Sequence, residues 1–185
     1  MSPSPPRGDS LRTSPVPETG QGKTPGAVLG VDPGLARTGW AVVTGDSFQK
    51  LVYRAGGTIK TTPGEALPAR IGAICAELEH QIVSHQVSAL CLEDHFSRRN
   101  APGVGHLLGP VIGAVAYLAY RHRLSFLAIP PRELKHRVTG TGGSGKEDLI
   151  RALSFWFGPG LSIKTTHEGD ALGLAFLGYG RLFRP

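Results

Sequence analysis

Three carboxylates in this chain stand where an element ends rather than in its middle. Asp32 closes the apolar run "VLGVD" (28–32) and is followed at once by Pro33 and Gly34. Glu93 closes "SALCLE" (88–93). Asp170 stands at the start of the last helical pattern, three positions after His167. Carboxylates that converge repel one another unless cations neutralise them. An oxygen-rich set of this kind suits Mg²⁺ or Mn²⁺, whereas zinc favours Cys and His. Two such ions about 3.5–4 Å apart can activate a water and stabilise the leaving oxygen of a phosphodiester. Each residue also has a plainer explanation. An Asp before Pro-Gly commonly bonds its own backbone in a turn. Glu93 and Asp94 are adjacent, so a strand would send only one of them into a shared site. Glu168 and Asp170 are also what a helix N-terminus favours electrostatically, and His167 could serve as a surface or capping histidine.

The elements that must carry these groups can be read from periodicity. Residues 28–32, 39–44 and 50–59 read as three strands with Gly- and Asp-containing turns, an antiparallel meander. Leu67, Ile71, Ile74, Cys75, Leu78 and Ile82 recur at helical spacing. Residues 88–94 form a fourth strand, apolar enough to be covered on both faces. Leu107, Leu108, Val111, Val115 and Leu118 mark a second helix, 124–130 a fifth strand, and 146–157 and 168–183 two more helices. Three hairpin strands followed by alternating helices and strands imply an α/β domain, a mixed sheet flanked by helices. Such a sheet brings two neighbouring strand ends and a helix start to one edge.

The chain has 185 residues, enough for one sizeable core. Lys and Arg number 20 against 14 Asp and Glu, a formal charge of +6 that favours a polyanionic partner such as nucleic acid. Cys75 and Cys91 have no partner at metal-site or disulfide-framework spacing, which points to a reduced, cytoplasmic setting. The longest apolar run, about 107–120, is interrupted by Gly109, Pro110 and Gly113 and is too short to span a membrane. Residues 1–26 hold six of the fifteen prolines and almost no large apolar side chains, so they read as a flexible Pro-rich tail before a folded domain at 27–185.

The stretches "VLGVDPGLARTGWAVV", "LCLEDHFSRRNA", "PRELKHRVTGTGGSGKEDL" and "HEGDALGLA", in that order and spacing, resemble the RuvC family of Holliday-junction resolvases. The resemblance runs from about residue 28 to 178. It implies a ribonuclease-H-like five-stranded sheet, three strands antiparallel and two parallel. It further implies a homodimeric, Mg²⁺- or Mn²⁺-dependent endonuclease with two ions per site, cutting opposed strands of four-way junction DNA in recombination and repair. Asp32, Glu93 and Asp170 match three of the family's four acidic positions, and His167 falls on the fourth, where it would bind metal or help to deprotonate the attacking water. The resemblance also places Lys135 and Lys146 near the scissile phosphate. A branch-migration complex of RuvA and RuvB is implied as partner by resemblance alone.

Phe96, with Arg98 and Arg99 beside it, resembles the family's junction-contacting Phe, and stacking on an unpaired base is worth roughly 1–3 kcal/mol. Arg132 and Arg137 are expected to hold the DNA backbone and to make binding salt-sensitive. Two rivals compete. "GTGGSGK" (140–146) fits GxxxxGK, but Glu147 stands where a nucleotide-binding loop needs Ser or Thr, and no apolar strand leads into Gly140. A non-catalytic DNA-binding module is the other, and three retained carboxylates would only hinder its binding to phosphate. Gly105, Gly109 and Gly113 recur every four residues on the second helix. They permit close approach of a neighbouring helix, from a twofold partner or from the same subunit.

Overall fold

The apolar run after Gly26 alternates in which side of the sheet it serves, and that alternation divides the protein into two cores. The computed structural model describes residues 26–94, 104–140 and 145–183, and within them nothing of the side chains of 104–107, 135 and 146. The tail read at 1–26 lies, but for Gly26, outside the described residues. Five strands form one sheet: β1 (Ala27–Asp32), β2 (Arg37–Thr44), β3 (Val52–Lys60), β4 (Val87–Glu93) and β5 (Ser125–Ile129), in the order β3-β2-β1-β4-β5. β1–β2 and β2–β3 pair antiparallel, β1–β4 and β4–β5 parallel, as the sequence implied. The parallel pairs need helical crossovers, which are α1 (Leu67–Ser84) and α2 (Val104–Arg121).

Leu29, Val31, Trp40, Val42, Leu90 and Leu92 face α1 and α2 and join Ile74, Leu78, Val115 and Leu118 in one core. Val28, Ala41, Val43, Ala89 and Cys91 face the other way. There they pack with α3 (Pro131–Thr139), α4 (Lys146–Phe157) and above all α5 (Thr166–Phe183), whose Ala171, Leu172, Leu174, Ala175 and Phe176 are buried. Both faces being covered explains why the central strands read as nearly continuous apolar runs.

A slip in pairing at the start of β4 matters to everything downstream. Ala27 pairs with Val87 but Val28 pairs with Ala89, so Ser88 is an extra residue in the ladder. Val87 belongs to the α1/α2 core, whereas Ala89 and Cys91 belong to the α5 core. One inserted residue reverses the side on which every later side chain emerges. Glu93, in phase with Ala89 and Cys91, therefore shares the α5 face with Asp32, which is in phase with Val28 and Gly30.

Two readings need correction. The 131–139 stretch forms a helix, α3, where the sequence showed only a basic run. Among its described side chains only Leu134 and Val138 are buried, one turn apart, too few to produce a visible stripe. The last helix begins at Thr166, not 168, so His167 sits inside its first turn. The strands and remaining helices stand within two residues of their expected bounds, save α2, which runs from Val104 to Arg121, three residues beyond the expected stripe at each end.

Candidate active site

Asp32 ends β1 beside the end of β4, with Val31 level with Leu92 in the parallel ladder. The turn that follows is closed without its carboxylate. The Thr38 hydroxyl donates to the Gly34 carbonyl at 2.7 Å. Asp32 instead reaches across the sheet face to α5, where its Oδ2 lies 2.7 Å from Nδ1 of His167. The plain turn role for Asp32 is thus not the one the structure shows.

Absent side chains on the sheet permit this meeting. A Cβ on Gly30 would lie 2.0 Å from the Ala171 carbonyl oxygen, and one on Gly39 would lie 2.1 Å from that of His167. Only glycine lets the helix backbone lie so close to β1 and β2. The start of α5 therefore rests directly on the sheet, and His167 points at the end of β1.

Asp32 is buried, only 8% exposed. Burial pushes its carboxyl up from the ordinary 3.8 to about 6. The hydrogen bond from His167 opposes that rise, while the charges of Asp170 and Glu93 add to it. Asp32, Glu93 and Asp170 are therefore electrostatic neighbours, contributed by β1, β4 and α5. Among the described residues, however, no three His, Cys, Asp or Glu side chains stand closed around one point as a ready metal shell. The donor set itself, carboxylate oxygens with one imidazole, fits a hard divalent cation.

With Asp32 ionised, the His167 Nδ1–H donates to Oδ2. In the neutral ring that fixes the tautomer and puts the lone pair on Nε2. Oδ1 of Asp32 stays available to a cation.

The basic residues fall into two groups. Arg132 and Arg137 are exposed on α3, whose Leu134 and Val138 face the core. Lys135 lies in the same helix and Lys146 is the first residue of α4, but their side chains are outside the described residues. Phe96, Arg98 and Arg99 lie outside them altogether, just past the end of β4. Gly140 ends α3 in the left-handed region at φ 82°, and Gly145 caps α4. The GxxxxGK segment thus follows a helix, not the strand that a phosphate-binding loop requires, which disposes of the nucleotide-hydrolysis rival.

Glu168 is the residue whose role sequence reasoning left undecided. It is 1% exposed. Its Oε1 accepts from the Tyr53 hydroxyl at 2.7 Å and its Oε2 from the Lys164 backbone N–H at 3.1 Å, while its own N–H donates to Thr165 Oγ1 at 3.1 Å. The signal available in the sequence was the Thr165-x-x-Glu168 spacing of a helix N-terminus.

A family model described as "Crossover junction endodeoxyribonuclease RuvC" matches residues 28–177. A protein so named from Rickettsia prowazekii (strain Madrid E) is 36% identical over 150 residues, 80% of this chain and 94% of that one. The corresponding protein of Chlorobium chlorochromatii (strain CaD3) is 38% identical over 150 residues, 80% and 76% of the two chains. Among solved structures, Thermus thermophilus RuvC in complex with Holliday junction substrate superposes with a TM-score of 0.74 at 26% identity, covering 85% of this chain and 94% of that one. Thermus thermophilus RuvC determined separately gives 0.73 at the same identity, covering 83% and 94%.

Proposed function

Since the chain belongs to the RuvC family of crossover junction endodeoxyribonucleases, we propose that it resolves four-way DNA junctions by divalent-metal-dependent hydrolysis at Asp32, Glu93, His167 and Asp170. The activity is that of a Holliday-junction-resolving endonuclease of recombination and repair. The observation that carries the residue assignment is the 2.7 Å contact between Asp32 and His167 at an edge where Glu93 and Asp170 add negative charge.

Asp32, Glu93 and Asp170 would hold Mg²⁺ or Mn²⁺, two ions in the usual arrangement for such chemistry. When bound, the metal lowers the pKa of water and offsets charge on the leaving oxygen. Asp32 offers Oδ1 to the cation while Oδ2 holds the imidazole. His167 accepts the proton of the attacking water at Nε2, with Asp32 fixing the ring and stabilising the imidazolium that forms. The water oxygen bonds to phosphorus as the bond to the leaving oxygen breaks. Lys135 and Lys146 flank the phosphate and favour its added charge. Arg132 and Arg137 hold the strands on either side, and Phe96 stacks on an unpaired base at the crossover with Arg98 and Arg99 near it.

Nicking of a synthetic four-way junction is expected with Mg²⁺ or Mn²⁺, to stop with EDTA, and to spare linear duplex of the same sequence. Cutting that survives EDTA, or that treats duplex and junction alike, would refute the assignment.

Two opposed cuts call for two sites related by a twofold axis, and α2 supports a homodimer. Gly109, Gly113, Tyr117 and Tyr120 line one exposed face of it, the tyrosines 60% and 65% exposed. Among the described residues, nothing beyond the helix's own backbone comes within 4 Å of a Cβ placed on either glycine. Sedimentation is expected to give twice the 19.6 kDa chain mass. Gly113→Arg, which sets a charge in the middle of that face, should yield monomer with the fold intact. Through the same twofold assembly the protein would meet RuvA and RuvB on junction DNA. No described helix is long and apolar enough to cross a membrane, which accords with action on DNA in the cytoplasm.

A further inference from the structure

The first turn of α5 is held from two sides. On one side His167 meets Asp32. On the other, a chain of hydrogen bonds ties the same turn to β3, which lies beyond β2 at the edge of the sheet. Tyr53 donates to Glu168, Glu168 accepts from the Lys164 N–H, Thr165 accepts from the Glu168 N–H, and the Thr58 and Thr165 hydroxyls share a bond of 2.6 Å. Thr58 pairs directly with Gly39 in the β2–β3 ladder, the glycine on which the His167 carbonyl rests.

The Gly56–Gly57 pair in the middle of β3, unusual for a strand, fits the same device. A Cβ on Gly56 would lie 2.5 Å from the Tyr53 hydroxyl oxygen, so the bare backbone leaves the phenol its path to α5. Burial and the neighbouring Glu168 push the Tyr53 phenol well above its ordinary value, so it remains a donor. A nearly fully buried Glu168 carboxylate bonded by two donors is costly to break and therefore sets position firmly.

We propose that Tyr53, Thr58 and Glu168 are positioning residues for the nuclease reaction, a bracket from β3 that holds the start of α5 so that His167 keeps its Nδ1–H on Asp32 and its lone pair on Nε2. None of the three touches the reacting atoms. Their effect passes through the rotation of one helical turn, where a displacement of about 1 Å is enough to cost about a hundredfold in rate. The inference rests on the proposed function for its kinetic readout but not for its spectroscopic one.

The test uses the full chain and four variants. Tyr53→Phe and Thr58→Val each remove one hydroxyl of the bracket. Thr58→Ser restores the hydroxyl lost in the valine variant, and Ile74→Val trims the opposite core as a matched structural control. The ¹⁵N signals of the His167 imidazole in metal-free protein are expected to show a single Nδ1–H tautomer in wild type, Thr58→Ser and Ile74→Val, and averaged tautomers in Tyr53→Phe and Thr58→Val. Single-turnover nicking should fall about tenfold or more in those two, with junction affinity in EDTA unchanged within twofold.

Unchanged His167 signals in both hydroxyl-deletion variants would overturn the proposal, as would an equal effect from Ile74→Val. Should Tyr53→Phe fail to fold, the threonine pair makes the same comparison. If the wild-type protein nicks no junction, the functional reading falls, while the imidazole spectrum still decides whether the bracket orients His167.

Discussion

Asp32→Asn is expected to reduce junction nicking by about a thousandfold or more while making the metal-free protein more stable. On the proposed mechanism the loss follows from removing an oxygen that would face a cation and the anion that would steady the His167 ring. The gain follows from burial. Asp32 has its carboxyl raised from 3.8 to about 6, so the folded protein binds a proton that the unfolded chain has already released between those values. Stability of the metal-free wild type should therefore fall as pH rises from about 4 to about 6, then level off. At neutral pH the cost is on the order of 2–3 kcal/mol.

Asparagine keeps an acceptor for the His167 Nδ1–H and abolishes this charge. The melting temperature of the variant should exceed that of wild type by roughly 5–10 °C at pH 7.5, and the difference should vanish near pH 4. Calorimetry in EDTA across that range checks both the sign and the window. A variant less stable than wild type at pH 7.5 would show that the carboxylate is not strained.

The second large effect is expected at a residue with no side chain. Gly39→Ala should lower stability by about 3 kcal/mol or more and nicking by over a hundredfold even where the variant remains folded. The added Cβ would fall 2.1 Å from the His167 carbonyl oxygen and 2.4 Å from its carbonyl carbon. Backbone atoms cannot rotate out of the way, so the start of α5 must lift from the sheet and take His167 with it. Gly72→Ala is the contrast. Its Cβ meets nothing within 4 Å in the middle of α1, and helix propensity alone predicts a gain of roughly 1 kcal/mol. Urea midpoints for the two variants, with nicking rates on junction DNA, separate close approach from a general intolerance of glycine replacement.

Much of the fold was legible in the chain because continuous apolar runs and period-3.6 stripes lie next to the residues that matter. The run ending at Asp32 and the stripe through Ile74 and Leu78 are examples. α3 escaped because the polar and charged residues of "PRELKHRVT" outnumber Leu134 and Val138, which hides its helical period in the sequence. The choice between Glu93 and Asp94 could not be made from alternation alone, since it depends on the extra residue at Ser88, visible only in the pairing of β4 with β1. Glu168 escaped for a related reason. Its partner Tyr53 is 115 residues away, and nothing local distinguishes a buried acceptor from an ordinary charge at a helix start.

The separation in sequence of Asp32, Glu93 and Asp170 has a further meaning for a cell whose genome is the substrate. Each sits on a different element, and the last arrives only when α5 docks onto β1 and β2. A chain whose α5 has yet to dock, or a fragment that lacks α5, brings Asp32 and Glu93 together without Asp170. Completion of folding thus acts as a safety catch on any chemistry that needs the three acids together.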